Sequence, residues 1–157
     1  MNHIIADPNF STLREAASKW AVITHKGVKI FPTVEEAVLR LDISHTSGAN
    51  WHGELRYSPF AVVPGAAFAV SFSVRAKQPF TFSVWLGQRD SPYKSLVPEE
   101  THFGEKKMTS DWQTFRHIWR PVLREEAARL NFVFGQIDNT VEIKDVMLTK
   151  NGLPGGC

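Results

Sequence analysis

Trp85 and Arg75 have the most chemistry to offer, because each stands on a strand face that has no need of it. In residues 80–88 (FTFSVWLGQ), Phe80, Phe82, Val84 and Leu86 share one parity, and Thr81, Ser83 and Trp85 the other. In residues 67–76 (AFAVSFSVRA), Phe68, Val70, Phe72 and Val74 oppose Ser71, Ser73 and Arg75. Side chains alternate across a strand, so the second sets cannot lie in the same core as the first. A sugar ring presents an apolar C–H face and a rim of hydroxyls. A binder of sugars therefore needs a flat aromatic platform and planar polar groups that hydrogen-bond in pairs. Trp85 suits the platform, and the Arg75 fork suits vicinal hydroxyls or a carboxylate.

The same reasoning extends to a few other positions. In residues 128–134, Leu130, Phe132 and Phe134 read as core, which leaves Arg129 and Asn131 on the opposite face. Asn131, Gln136 and Gln88, which closes the second alternating segment, are candidate readers of hydroxyls. Tyr93, beside Pro92 in a long polar connection, is a candidate lid.

Catalysis is poorly served. Glycoside hydrolysis needs two carboxyls roughly 5–10 Å apart, yet Glu99-Glu100 and Glu125-Glu126 read as solvated pairs, and nothing marks Asp42 and Glu54 as partners. A lyase acting on a uronate needs converging Tyr, His and Arg. His52, Arg56 and Tyr57 are close in sequence, but adjacent strand positions point to opposite faces. Hydrolase, zinc, P-loop and dinucleotide motifs are absent from the sequence.

The elements that must position these residues are almost wholly β. Strands are expected at 21–24, 28–31, 38–44, 54–58, 67–76, 80–88, 112–122, 128–134 and 141–149, with a long connection over 89–111. Turn signals stand at Pro64-Gly65, at 77–79 and at Asp138-Asn139. Short strands at this spacing without βαβ alternation predict an all-β antiparallel sandwich. One short N-terminal helix is also expected, because Thr12 and Glu15 have capping-box spacing and Leu13, Ala16, Ala17 and Trp20 follow helical spacing.

Composition sets the bounds. The 157 residues make one domain, expected over 1–150, with 151–157 (NGLPGGC) as a linker or tail. That tail suggests an excised or appended module rather than a free-standing enzyme. Net charge is +2 with interspersed signs, so no basic stripe argues for nucleic acid. The start has no signal-peptide pattern, and no stretch approaches the roughly 18 apolar residues of a membrane span. Cys157 is the single cysteine, which rules out a disulfide within one copy.

The order of motifs is similar to a known family: "NF" at 9–10, W-x-G-x-L from Trp51, V-x-PG-x-x-F-x-V-S-F-S-V-R-A from Val62, DWQTF at 111–115, ARLNFVFG at 128–135 and VEIKDVML at 141–148. Over roughly residues 9–149 the chain resembles carbohydrate-binding modules of the family 4/9/22 type, which are galactose-binding-like jelly rolls. The resemblance implies a non-catalytic module that holds a polysaccharide or oligosaccharide in a cleft on the concave sheet, linked in some relatives to a catalytic domain, and secreted or periplasmic. It implies that Trp51 shapes the cleft rim. It also implies that Phe115, His117 and Trp119 face the core, so that Arg116 joins Arg75 and Trp85 if their strands share a sheet. Trp112 and Trp20 are expected in the core. No cofactor is required, but the family often carries a structural calcium ion. Asp145 matches one of its ligands, Ser11 and Lys144 depart from the pattern, and Asp7 and Asn9 are the other available donors. Arg75 and Arg116 in one cleft, with Arg56 or Arg120, would suit a uronate-bearing glycan. The competing reading is a protein-interaction jelly roll, since fold does not fix function.

Overall fold

The computed structural model describes residues 2–13, 15, 17–98 and 103–152. Alternation becomes eleven strands among them: β1 (Asn2–His3), β2 (Trp20–Thr24), β3 (Lys29–Glu35), β4 (Val38–Ser44), β5 (Gly53–Val62), β6 (Ala66–Ala76), β7 (Phe80–Gln88), β8 (Phe103–Met108), β9 (Gln113–Trp119), β10 (Glu125–Val133) and β11 (Asn139–Gly152). They form two antiparallel sheets. One runs β3-β4-β11-β6-β9, with β1 also on β11; the other runs β2-β5-β10-β7-β8. In the first sheet, β4 pairs with the start of β11 and the two residues of β1 with its far end.

The Phe-rich parities of β6 and β7 meet between the sheets. Phe72 packs edge-on against Phe82, Phe103 and Phe132, at 5.9, 5.7 and 5.0 Å between ring centres. Edge-to-face packing sets the positive rim of one ring on the negative face of the next. Along β11 the buried apolar positions are Val141, Ile143, Val146 and Leu148, which breaks strict alternation. The cause is a bulge: register against β6 shifts between Lys144 and Met147, and Asp145 takes a left-handed φ of 55°. The extra residue turns Val146 inward and Met147 outward.

Several expectations need correction. The long connection contains β8, which Lys106 and Lys107 disguise as polar linker; β8 edges the sheet, so only alternate residues need be apolar. The expected tail starts too early, since Asn151 and Gly152 still pair with Ala67 and Ala66; residues 153–157 lie outside the described residues. The short helix is replaced by turns among the described residues of 11–19, and the helical piece that does form is a 3-10 turn at Asn50–His52.

Competition for Thr12 explains the missing helix. Its hydroxyl donates to Asp7 Oδ2 (2.6 Å) instead of serving as an N-cap, and its amide donates to the same oxygen (2.8 Å). The Ser11 amide and hydroxyl donate to Asp7 Oδ1 at 2.9 and 2.6 Å. Trp20, 2% exposed, donates its indole N–H to the Asp7 carbonyl and packs between Phe10 and Tyr57. Burial raises the Asp7 carboxyl pKa, but the Ser11 and Thr12 hydrogen bonds outweigh it and hold the group below its ordinary value. A depressed folded pKa stabilises above the unfolded value, near pH 3.8, and that contribution fades as pH falls through the folded one. Asp7→Asn is therefore expected to cost about 1 kcal/mol at pH 7. The gap to wild type should narrow at about pH 3. Urea unfolding at both pH values checks this, and an unchanged gap would contradict it.

Candidate functional site

Cross-strand register assembles the outer face of the β2-β5-β10-β7-β8 sheet. One row reads Ala21, Arg56, Asn131 and Trp85; the next reads Ile23, Glu54, Val133 and Ser83. Glu54 and Arg56 stand here because they alternate with Leu55 and Tyr57, whose side chains are buried in the core. Glu54 is 5% exposed, and its carboxylate accepts hydrogen bonds from Arg56 Nη2 (3.3 Å) and Asn131 Nδ2 (3.4 Å). A buried charge is tolerable only when paired and hydrogen-bonded in this way. Asn131 Oδ1, also buried, has no hydrogen-bond partner among the described residues.

Two loops wall this face. The 3-10 turn presents Trp51, 52% exposed, with its ring 4.0 Å from that of His52 and 5.5 Å from that of His25. The His52 ring is itself hydrogen-bonded to the Ser47 hydroxyl. On the other side, the segment after β7 folds back along it. Gln88 N–H donates to the Lys94 carbonyl (2.9 Å), the Lys94 amide donates to Gln88 Oε1 (3.0 Å), and Leu96 N–H donates to the Leu86 carbonyl (3.1 Å). Gly87 permits this approach, since a Cβ there would sit 3.1 Å from the Lys94 carbonyl oxygen. The segment carries Tyr93 to 5.5 Å from the Arg129 guanidinium, measured to the ring centre. His25, Trp51, Glu54, Arg56, Tyr93 and Arg129 line a hollow of about 340 Å³. Burial pulls the Arg129 pKa below its ordinary value; Glu54 opposes that effect and Arg56 adds to it. The guanidinium nevertheless stays charged at any ordinary pH.

The structure thus brings Trp85, Trp51, Tyr93 and Asn131 to one face, Asn131 as a buried member of its polar network. Gln88 is corrected: it has the core parity of Leu86, and its side-chain oxygen anchors the Tyr93 segment rather than facing the hollow. Gln136 is exposed beyond the end of β10.

Arg75 and Arg116 are corrected as well. Both lie on the outer face of the other sheet, on β6 and β9, so neither shares a cleft with Trp85. Parity reported correctly that these residues leave the core, but it carries no information about which sheet each strand joins. Arg75 binds Glu142 (3.0 Å), and Trp112 is also there, outside the core, with the Arg75 guanidinium 4.6 Å and the Lys144 ammonium 4.2 Å from its ring centre. That cluster is paired within itself. Asp42 and Glu54 likewise occupy opposite sheets. His117 turns towards the core but is only half-buried, because β9 is an edge strand.

His25 is the lining residue that gave no signal, since it follows β2 in a turn and owes its position to the backbone bond from its N–H to the His52 carbonyl. Glu54, Arg56 and Arg129 were visible by parity, but only pairing through β10 unites them.

The described residues do not suit calcium, which favours six to eight hard oxygen ligands. Both Asp7 carboxylate oxygens are taken by Ser11 and Thr12. Asp7 lines a different hollow from Asn9 and Asp145, and no cluster of three acidic, His or Cys side chains occurs among the described residues. As for catalysis, Glu54 is the one carboxylate among the described residues lining the Trp51 hollow. Glu99 and Glu100 lie outside the described residues.

No protein-family model and no curated protein matches the sequence. Solved structures do match. A CBM4 structure superposes with a TM-score of 0.80 at 19% identity, covering 95% of this chain and 99% of that one. The second N-terminal cellulose-binding domain of Cellulomonas fimi β-1,4-glucanase C gives 0.65 at 19% identity, over 88% and 90% of the two chains. The CBM22-1 xylan-binding domain of Paenibacillus barcinonensis Xyn10C gives 0.58 at 13%, over 85% and 86%. The chain therefore has the jelly-roll sandwich fold of these carbohydrate-binding modules.

Proposed function

We propose that this chain is a carbohydrate-binding module that holds a glycan chain, without chemistry of its own, on the outer face of the β2-β5-β10-β7-β8 sheet. The observation that carries the reading is the coincidence on one face of Trp51, Trp85 and Tyr93, all exposed, with the Glu54–Arg56–Asn131 network, in which Glu54 and Asn131 are buried. The aromatics offer apolar area to sugar rings, and the network holds polar atoms in fixed positions before any ligand arrives. Pre-organisation lowers the entropic cost of binding. The fold neighbours add support, being named as cellulose-binding and xylan-binding domains. Attachment to a catalytic domain is part of the same proposal.

Hydrolysis is disfavoured because the hollow's described carboxylate is committed to Arg56 and Asn131, whereas the reaction needs a proton-donating acid and a second carboxylate across the bond. The test is affinity electrophoresis through gels carrying β-glucan, xylan or uronate polymers. Wild type should be retarded by at least one of them. Trp85→Ala should lose roughly 25-fold in affinity, given the apolar area left at 40% exposure. Trp112→Ala, on the far sheet, should bind as wild type does. Retardation lost with Trp112→Ala and kept with Trp85→Ala would move the site to the other face. No retardation by any polymer would overturn the reading.

A further inference from the structure

Two guanidiniums and one carboxylate line the hollow between Trp51 and Tyr93. Arg56 pairs with Glu54 at 3.3 Å, and that carboxylate is also bonded to Asn131. Arg129 lines the same hollow and has no carboxylate within ion-pair distance among the described residues; its contact is the face of Tyr93. The built-in charges of Glu54, Arg56 and Arg129 thus leave one positive charge over, in a half-buried site. The surroundings limit how far water can screen it. A neutral glycan would cover this guanidinium and strip water from it without supplying a charge in return. That is a cost unless a new partner is provided.

Resting on the carbohydrate-binding reading, we infer that the preferred ligand is an acidic glycan, one of whose sugar carboxylates binds Arg129 while its rings lie against Trp51 and Tyr93. The planar fork of arginine matches a carboxylate through two parallel N–H donors. Glu54 does not repel such a ligand strongly, because it is 5% exposed and its oxygens already accept from Arg56 and Asn131. The ligand carboxylate completes a set of two cations and two anions. The cations expected from sequence to form such a site, Arg75 and Arg116, are excluded from it by their sheet.

The test uses matched pairs of oligosaccharides: oligogalacturonate, oligomannuronate and glucuronate-substituted xylo-oligosaccharide, each beside its carboxyl-reduced form. Calorimetric titration of the full chain at low ionic strength should show at least one acidic member binding roughly ten- to a hundredfold tighter than its reduced partner. That preference should shrink as salt is raised. Arg129→Gln should bind both members alike, near the affinity of wild type for the reduced one, and Arg129→Lys should restore part of the preference. Equal binding of acidic and reduced members by wild type in every pair would overturn the inference while leaving the glycan-binding reading intact. Binding of no member, acidic or neutral, would overturn both. The wild-type comparison decides the matter even if the Arg129→Gln chain fails to fold.

Discussion

Trp51→Ala is expected to weaken glycan binding about 70-fold, a larger loss than that of Trp85, the other exposed tryptophan on this face. The indole is 52% exposed although it belongs to a structured turn and touches the His52 and His25 rings. A tryptophan side chain buries up to about 250 Å² when fully covered, so a sugar laid on this one has roughly 100 Å² of apolar surface to remove from water. At about 25 cal/mol per Å² that is near 2.5 kcal/mol, or roughly 70-fold in affinity. The loss should appear in titration against whichever polymer retards wild type. Far-UV circular dichroism should be unchanged, since His52 remains held by Ser47 and the turn's backbone bonds do not involve the indole. A loss under threefold would show that the ligand does not use this wall of the hollow.

Phe72→Ala is expected to destabilise the chain by about 3–5 kcal/mol, a large part of the roughly 5–15 kcal/mol that holds a domain together. Phe72 is 1% exposed and sits where the two sheets meet. It contacts Phe82, Phe103 and Phe132 from one sheet and Phe115 from its own. The four neighbouring rings belong to four different strands, so none can move into the vacated space without shifting a strand that is hydrogen-bonded elsewhere. The cavity therefore persists, and its lining loses dispersion contacts on one side. With an m-value of about 2 kcal/mol/M, the urea midpoint should fall by roughly 1.5–2.5 M. Phe31→Ala is the control: at 65% exposure on edge strand β3, it should stay within about 0.5 kcal/mol of wild type. Equal effects from the two substitutions would refute the assigned core.

Local alternation was enough to find most of the strands, because a half-buried strand must repeat its apolar residues every second position. The 38–44 and 80–88 segments coincide with β4 and β7 to the residue. The same signal failed where tertiary context relaxes it. β8 needs few apolar residues because it is an edge, and β11 breaks parity at the Asp145 bulge. The N-terminal helix was lost to a local contest in which Asp7 claimed Thr12, a bond between positions that a helical pattern does not relate.

The amino-acid sequence by itself determined which residues leave the core. Trp85, Arg75, Arg116, Glu54, Arg56 and Arg129 all have their place by parity, which depends only on the geometry of one strand. Tertiary structure decided which of them meet. Arg75 went to the sheet of β6 and β11, and Trp85 to that of β7 and β10, though only a short turn separates β6 from β7. Strand order in a sandwich is set by long-range pairing and by burial of both Phe-rich faces together, and neither is written in the spacing of neighbouring residues. Trp85 and Arg75 both leave the core as parity requires, but they stand on opposite sheets, and it is Arg129 that shares the Trp85 face.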